Sequence, residues 1–171
     1  MTRIIITGTV LFCLFFLNGC ATIMSHGPQA LSILSQPEGA ACEITDTTEG
    51  KRIVKAETPY IATLERGAGY FLKKYYDVTL SKDGYMTEKV TLTPQLNFWY
   101  VCNLIFGGAI GALIVDPLTG NMWTFYQKDV NIKLYPDTLE GRTTRTADEL
   151  AKAEAKVRDE EAQRAKQTAP Y

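Results

Sequence analysis

From Lys74 to Leu80 the chain alternates with a period of two. Tyr76, Val78 and Leu80 fall on one face, and Tyr75, Asp77 and Thr79 on the other. Successive side chains of a strand point to opposite faces, so this pattern suits a sheet with one buried face and does not suit a helix. The alternation recurs at Leu31 and Ile33 around Ser32, at Val90 and Leu92, and at Val130, Ile132 and Leu134 around Asn131 and Lys133. Turn-formers separate these runs: Gln36-Pro37-Glu38-Gly39-Ala40, the polar stretch Asp46 to Gly50, and Lys82-Asp83-Gly84. Thr58-Pro59-Tyr60 opens a further extended piece, because the residue before a proline avoids helix. Short strands joined by tight turns predict a mainly β fold over residues 31–134.

Three of these elements, taken in order, resemble the PEGA domain: Pro37-Glu38-Gly39-Ala40 ahead of a strand, then Thr58-Pro59, then Asp83-Gly84-Tyr85. The resemblance covers residues 31–94. It departs at Gly67 to Tyr76, a longer and more aromatic segment than the Pro-Gly turn usual there. PEGA domains are small β-sandwich-like modules of bacterial envelope proteins. The resemblance therefore implies that fold, a small antiparallel sandwich-like domain, and that setting, and it implies no catalytic residues. Gly39 and Gly84 are read as backbone positions, and Tyr60 and Tyr85 as packed against the sheet.

Residues 98–115, FWYVCNLIFGGAIGALIV, hold one polar side chain, Asn103. As a single helix they would extend ~27 Å, close to the ~30 Å of a hydrocarbon core. Gly107 and Gly111 have the spacing that lets helices approach closely, with Gly108 beside them. Aromatic residues at both ends (Phe98, Trp99, Tyr100 and Trp123, Phe125, Tyr126) suit two membrane interfaces. Against a span, each glycine lowers helix stability by ~1 kcal/mol. The strand from Tyr126 to Leu134 also needs a sheet partner, and the sheet lies upstream, on the same side of any membrane. Three arrangements follow: a short buried helix or hairpin covering the sheet; a segment that dips into the membrane or self-associates through Gly107, Gly108 and Gly111; or a spanning helix. The pattern of Asn103, Gly107-Gly108, Gly111, Asp116 and Thr119-Gly120 also resembles a segment of small bacterial lipoproteins that carry no assigned chemistry.

The N-terminus sets the compartment. Arg3 precedes an uncharged run from Ile4 to Leu17, the charged region and apolar core of a secretory signal, too short for a permanent span. The run ends without the A-x-A arrangement of an ordinary cleavage site. It ends in Leu17-Asn18-Gly19-Cys20, which resembles the bacterial lipobox. That resemblance implies a diacylglycerol on the Cys20 thiol, cleavage between Gly19 and Cys20, and acylation of the new amino group. A thiolate is the good nucleophile that such a transfer needs. Residues 1–19 are then the signal peptide, and 20–30 form a tether. Ala21 resembles the default, outer-membrane class, where an aspartate would signal retention in the inner membrane.

Of the four cysteines, Cys13 leaves with the signal and Cys20 carries lipid. Cys42 and Cys102 remain as an even pair in an oxidising compartment. They form either a disulfide, worth roughly 4 kcal/mol on the chain-entropy account, or two buried free thiols. The one histidine, His26, sits in the tether, which argues against Ser-His or Cys-His catalysis and against a zinc site. The net charge of −1 becomes one unit more negative when Arg3 is removed, so no basic footprint for nucleic acid exists.

Residues 135–171 read as a polar helical tail. Thr146-Ala147-Asp148-Glu149 is a capping box, followed by acid-before-base pairs Asp148–Lys152, Glu154–Arg158 and Glu160–Arg164. Leu150 and Val157 make too thin a stripe for a self-sufficient coiled coil. Together these readings describe a non-enzymatic, lipid-anchored binding or scaffold module of the bacterial outer membrane, on its periplasmic face. Its partners are membrane lipid, through Cys20, and an envelope protein. No cofactor is expected beyond the covalent lipid. The alternative is a membrane-embedded or oligomer-forming protein using Gly107 and Gly111.

Overall fold

The structure, a computed structural model, describes residues 27–106, 113–114 and 116–168. Two sheets carry the domain. The first has strand order β11-β1-β4, with β1 at Gln29–Gln36, β4 at Tyr60–Leu64 and β11 at Asp129–Lys133. The second has order β3-β2-β7-β8, with β2 at Ala41–Asp46, β3 at Lys51–Glu57, β7 at Tyr76–Ser81 and β8 at Glu88–Leu92. Every pairing in the second sheet is antiparallel.

One core lies between the two sheets. The first contributes Leu31, Ile33, Ala62, Leu64, Val130 and Ile132, and the second Cys42, Ile44, Tyr76, Val78, Leu80 and Leu92. The faces read from the alternation are those buried: Tyr76, Val78 and Leu80 are at most 2 % exposed. Burying each such side chain stabilises the fold by roughly 1.5–3 kcal/mol. Tyr60 and Tyr85 pack partly buried against the same core. The fold is thus mainly β, as the alternation predicts, with two sheets facing one core.

The last strand departs from an all-antiparallel plan. β11 pairs parallel to β1, with Ser32 opposite Asp129 and Gln36 opposite Lys133. A parallel neighbour needs a long crossover. Here the whole chain between β1 and β11, which holds the second sheet and β4, supplies it.

The turns of the Pro37-Glu38-Gly39-Ala40 and Thr58-Pro59 segments lock together. Thr58 N–H donates to Ala40 O at 2.9 Å, and Gly39 N–H to Thr58 O at 3.0 Å. Thr58 Oγ1 accepts from Ala40 N–H at 3.0 Å and lies 2.5 Å from Ser35 Oγ, both hydroxyls being buried. Lys82 Nζ donates to Glu38 O across the same turn. Gly39 has φ +72°, a conformation that side-chain-bearing residues adopt only with strain. A short hairpin, β5 (Gly67–Gly69) and β6 (Leu72–Lys73), occupies the aromatic departure from the PEGA pattern.

The described part of the apolar run packs apart from the main core. The first half of the run is helix α1, Phe98–Phe106, preceded by β9 (Gln95–Leu96) and followed by a helical turn α2, Asp116–Thr119, and β10, Trp123–Thr124. Within Phe98–Val101 only Tyr100 is buried, and it packs on Met122 and Trp123, apart from the main core. No helix of the described residues is long and apolar enough to cross a membrane. Gly107, Gly108 and Gly111 lie outside the described residues.

The disulfide alternative is corrected: Cys42 and Cys102 are both free. Cys42 is buried in the middle of the core sheet, opposite Ala56 on one side and Leu80 on the other. Cys102 sits half-buried on α1, whose one buried anchor belongs to the separate small cluster. Burial pushes the Cys42 thiol pKa up.

The C-terminal helix α3, Leu139–Thr168, begins two turns ahead of the capping box. Thr138 is its cap: Thr138 Oγ1 accepts from Gly141 N–H at 3.1 Å, and Arg142 N–H donates to Thr138 O at 3.0 Å. Gly141 is required there, because a Cβ would lie 2.1 Å from Pro136 O. The base of the helix is tied to the sheets. Asp148 Oδ2 accepts from Lys133 Nζ at 2.7 Å and from Tyr135 OH at 2.8 Å, and Arg145 pairs with Glu88 at 3.2 Å.

Candidate functional site

The predicted site residues are scattered. Gly19 and Cys20 lie outside the described residues, as do Gly107, Gly108 and Gly111. Cys42 is deep in the core, and Cys102 is on α1. What the structure does bring together is the end of the sandwich where the described chain begins.

Asn97 organises that end. Its Oδ1 accepts from Trp99 N–H at 3.1 Å, capping α1, and its carbonyl accepts from Tyr100 N–H at 3.0 Å. Asn97 Nδ2 donates to Asn121 O at 3.1 Å, and Asn97 N–H to Met122 O at 2.7 Å. Asn121 Oδ1 in turn accepts from Arg66 Nη2 at 2.9 Å, and the same nitrogen donates to Gly27 O at 2.7 Å. All three side chains are at most 5 % exposed. Burial lowers the Arg66 pKa from its ordinary value. A guanidinium keeps its charge over any accessible pH range, so it serves here as a fixed clamp. It holds the first described residue, Gly27, against α1 and the β10 loop.

Neighbouring elements close around this clamp. Gln29 grips β10 and the residue after it: Nε2 donates to Phe125 O at 2.6 Å, and Oε1 accepts from Phe125 N–H at 3.0 Å and from Thr124 Oγ1 at 3.2 Å. Tyr126 OH donates to Leu96 O at 2.9 Å. Gly67 and Gly120 touch backbone to backbone: a Cβ on Gly67 would lie 2.7 Å from Gly120 Cα. Lys73 Nζ sits 4.7 Å from the centre of the Trp123 ring. Tyr70 OH donates to Leu113 O at 2.9 Å. The Tyr100 hydroxyl pKa is raised by burial first, then by the nearby Asp116 carboxylate and by Tyr70.

The rim of this end is apolar and uncovered. A cleft of about 540 Å³ runs past Gly27 and Pro28 between Phe98, Trp99, Tyr126 and Lys128. Phe98 is 64 % exposed, Tyr126 58 % and Trp99 43 %. A second cleft of about 200 Å³ also starts at Gly27 and Pro28 and is bordered by Leu118. Tyr70, Phe71, Leu72, Leu113 and Ile114 are exposed as well.

Chemically, this end offers surface and fixed backbone. Most of its polar groups are committed to one another, although Trp123 Nε1–H is buried without a hydrogen-bond partner, and the hydrogen bonds among the described residues of this end pair no nucleophile with a base. Among the described residues, no group of three or more His, Cys, Asp or Glu side chains is placed to hold a metal ion. The aromatic residues at both ends of the apolar run suit two membrane interfaces only in the spanning-helix arrangement, one of three that the sequence leaves open. The pairing of β9 with β10, Leu96 opposite Trp123, folds them onto one end instead. Asn97, Asn121 and Arg66 carried no sequence signal. Single polar residues flanking hydrophobic runs are common, and only the fold shows that these three meet.

Comparison of the chain with family models, with curated proteins and with solved structures returned no match.

Proposed function

We propose that this chain is a lipid-anchored bacterial envelope protein, a non-enzymatic binding or scaffold module held at the outer membrane by acyl chains on Cys20. The observation that carries the reading is Leu17-Asn18-Gly19-Cys20 at the end of a short uncharged run. A compact β domain whose first strand begins at Gln29 is consistent with it, since only a short tether then separates lipid from fold. Each buried CH₂ contributes ~0.8 kcal/mol, so two or three chains anchor stably without a spanning helix. The PEGA-like motifs Pro37-Glu38-Gly39-Ala40, Thr58-Pro59 and Asp83-Gly84-Tyr85 support the envelope setting by resemblance.

A Cys20→Ala variant tests the anchor. It is expected to retain its signal, to incorporate no labelled palmitate, and to leave the outer-membrane fraction. A Cys20→Ala chain that still fractionated with the outer membrane would contradict anchoring by this residue.

A further inference from the structure

We infer that the aromatic rim around Gly27 seats in the headgroup boundary of the same bilayer that holds the lipid, so that the sandwich stands on the membrane by this end. The inference rests on the lipid anchor proposed above. Six residues lie between Cys20 and Gly27, seven Cα-to-Cα steps, and an extended chain covers at most ~3.5 Å per step. The point where Arg66 clamps the chain is therefore within ~25 Å of the acylated sulfur, and the surface around that point is the part of the domain closest to the bilayer.

The surface has the chemistry of an interface belt. Phe98, Trp99 and Tyr126 flank the cleft that begins at Gly27 and Pro28, and Leu118 borders the other cleft at the same residues. Tryptophan and tyrosine favour the headgroup level, where an apolar ring and a polar edge are both satisfied. The basic residues there suit anionic headgroups: Lys128 lines the cleft, and Lys73 lies over Trp123. Of the acids nearby, Glu65 is paired with Lys74 at 2.8 Å and Asp116 is buried, while Asp129 is exposed beside Lys128. The rim is also preformed. Asn97 fixes the start of α1, and Tyr126 is tied to Leu96, so little ordering entropy opposes docking. Aromatic and aliphatic residues gathered this densely at one end are not a surface that water alone explains.

The test uses the full, processed chain reconstituted into phosphatidylethanolamine–phosphatidylglycerol vesicles. The protein has two tryptophans. A Trp123→Phe variant leaves Trp99 as the sole reporter, and the difference between wild type and Trp99→Phe reports the same residue if that variant does not fold. Lipids brominated near the headgroup end of the chain are expected to lower Trp99 emission by about twofold or more, and deeply brominated lipids to lower it less. The mass of the N-terminal peptide is measured on the same sample. Acylated Cys20 with no quenching of Trp99 overturns the docking and leaves the anchor standing. Quenching with an unmodified Cys20 supports the docking and removes the anchor. Concentration-dependent shielding of Trp99 from acrylamide, with no quenching by bromolipid, assigns the rim to a second copy of the chain and overturns the docking.

Discussion

Thr58 shows how much one hydroxyl can hold. It accepts from Ala40 N–H, meets Ser35 Oγ, and joins the two proline-containing turns that close one end of the sandwich. Thr58→Val keeps the shape and strands a buried donor, so it should cost about 1–3 kcal/mol, read as a lower urea midpoint. Thr58→Ser should recover most of that loss, and equal midpoints for all three chains would show that the lock contributes nothing. The cysteines give a second residue-scale test. Cys42 is buried, its thiol pKa raised by burial, while Cys102 is half-buried. Alkylation of the native protein at mild alkaline pH should modify Cys102 first and reach Cys42 only on unfolding. If neither reacts until a reductant is added, the two are bridged and the free-thiol assignment fails. The sequence could not decide between these outcomes, because parity and compartment say nothing about where two Cα atoms come to rest.

At the scale of elements, α3 is fixed by its base. The side chains of Lys133 and Tyr135 hold the Asp148 carboxyl below its ordinary pKa, Lys133 contributing most. A carboxyl lowered in the folded state stabilises that state above its unfolded pKa, ~3.9, and the contribution disappears as pH falls through the lowered value. Acidification from pH 5 to 3 should therefore loosen residues 139–149, seen as a fall in amide protection, after correction for the intrinsic pH dependence of exchange, that β1 and β7 do not show. Asp148→Asn should show low protection there at both pH values, and wild-type protection factors that are equal at the two pH values would refute the tie. The strands were legible because alternation reports directly on burial, as at Tyr76, Val78 and Leu80. The start of α3 was not. Gly141 and the Thr143-Thr144 pair lower local helix propensity, so Thr146 looked like the cap. Packing against Pro136 overrides that preference and selects glycine. The parallel pairing of β11 with β1 was hidden as well, since an alternating strand reads the same in either direction.

For the molecule as a whole, strand direction separates two ends. β1 runs from Gln29, beside the Arg66 clamp, to Gln36, whose carbonyl accepts from Leu134 N–H just ahead of α3. Eight strand residues place those ends ~25 Å apart. On the proposed anchor and docking, the base of the polar helix lies at the end of the domain far from the bilayer. The domain's class and buried faces were readable from the chain. The rim was not, because it depends on β9 and β10 bringing Phe98, Trp99 and Tyr126 round to the residues that follow the tether. The proposed lipid anchor rests on Cys20. The most direct test is the mass of the N-terminal peptide of the protein extracted from membranes. The account predicts a peptide beginning at Cys20 and heavier than its sequence by a diacylglyceryl group and one further acyl chain. A peptide beginning at Met1, or an unmodified peptide beginning beyond Cys20, would contradict it.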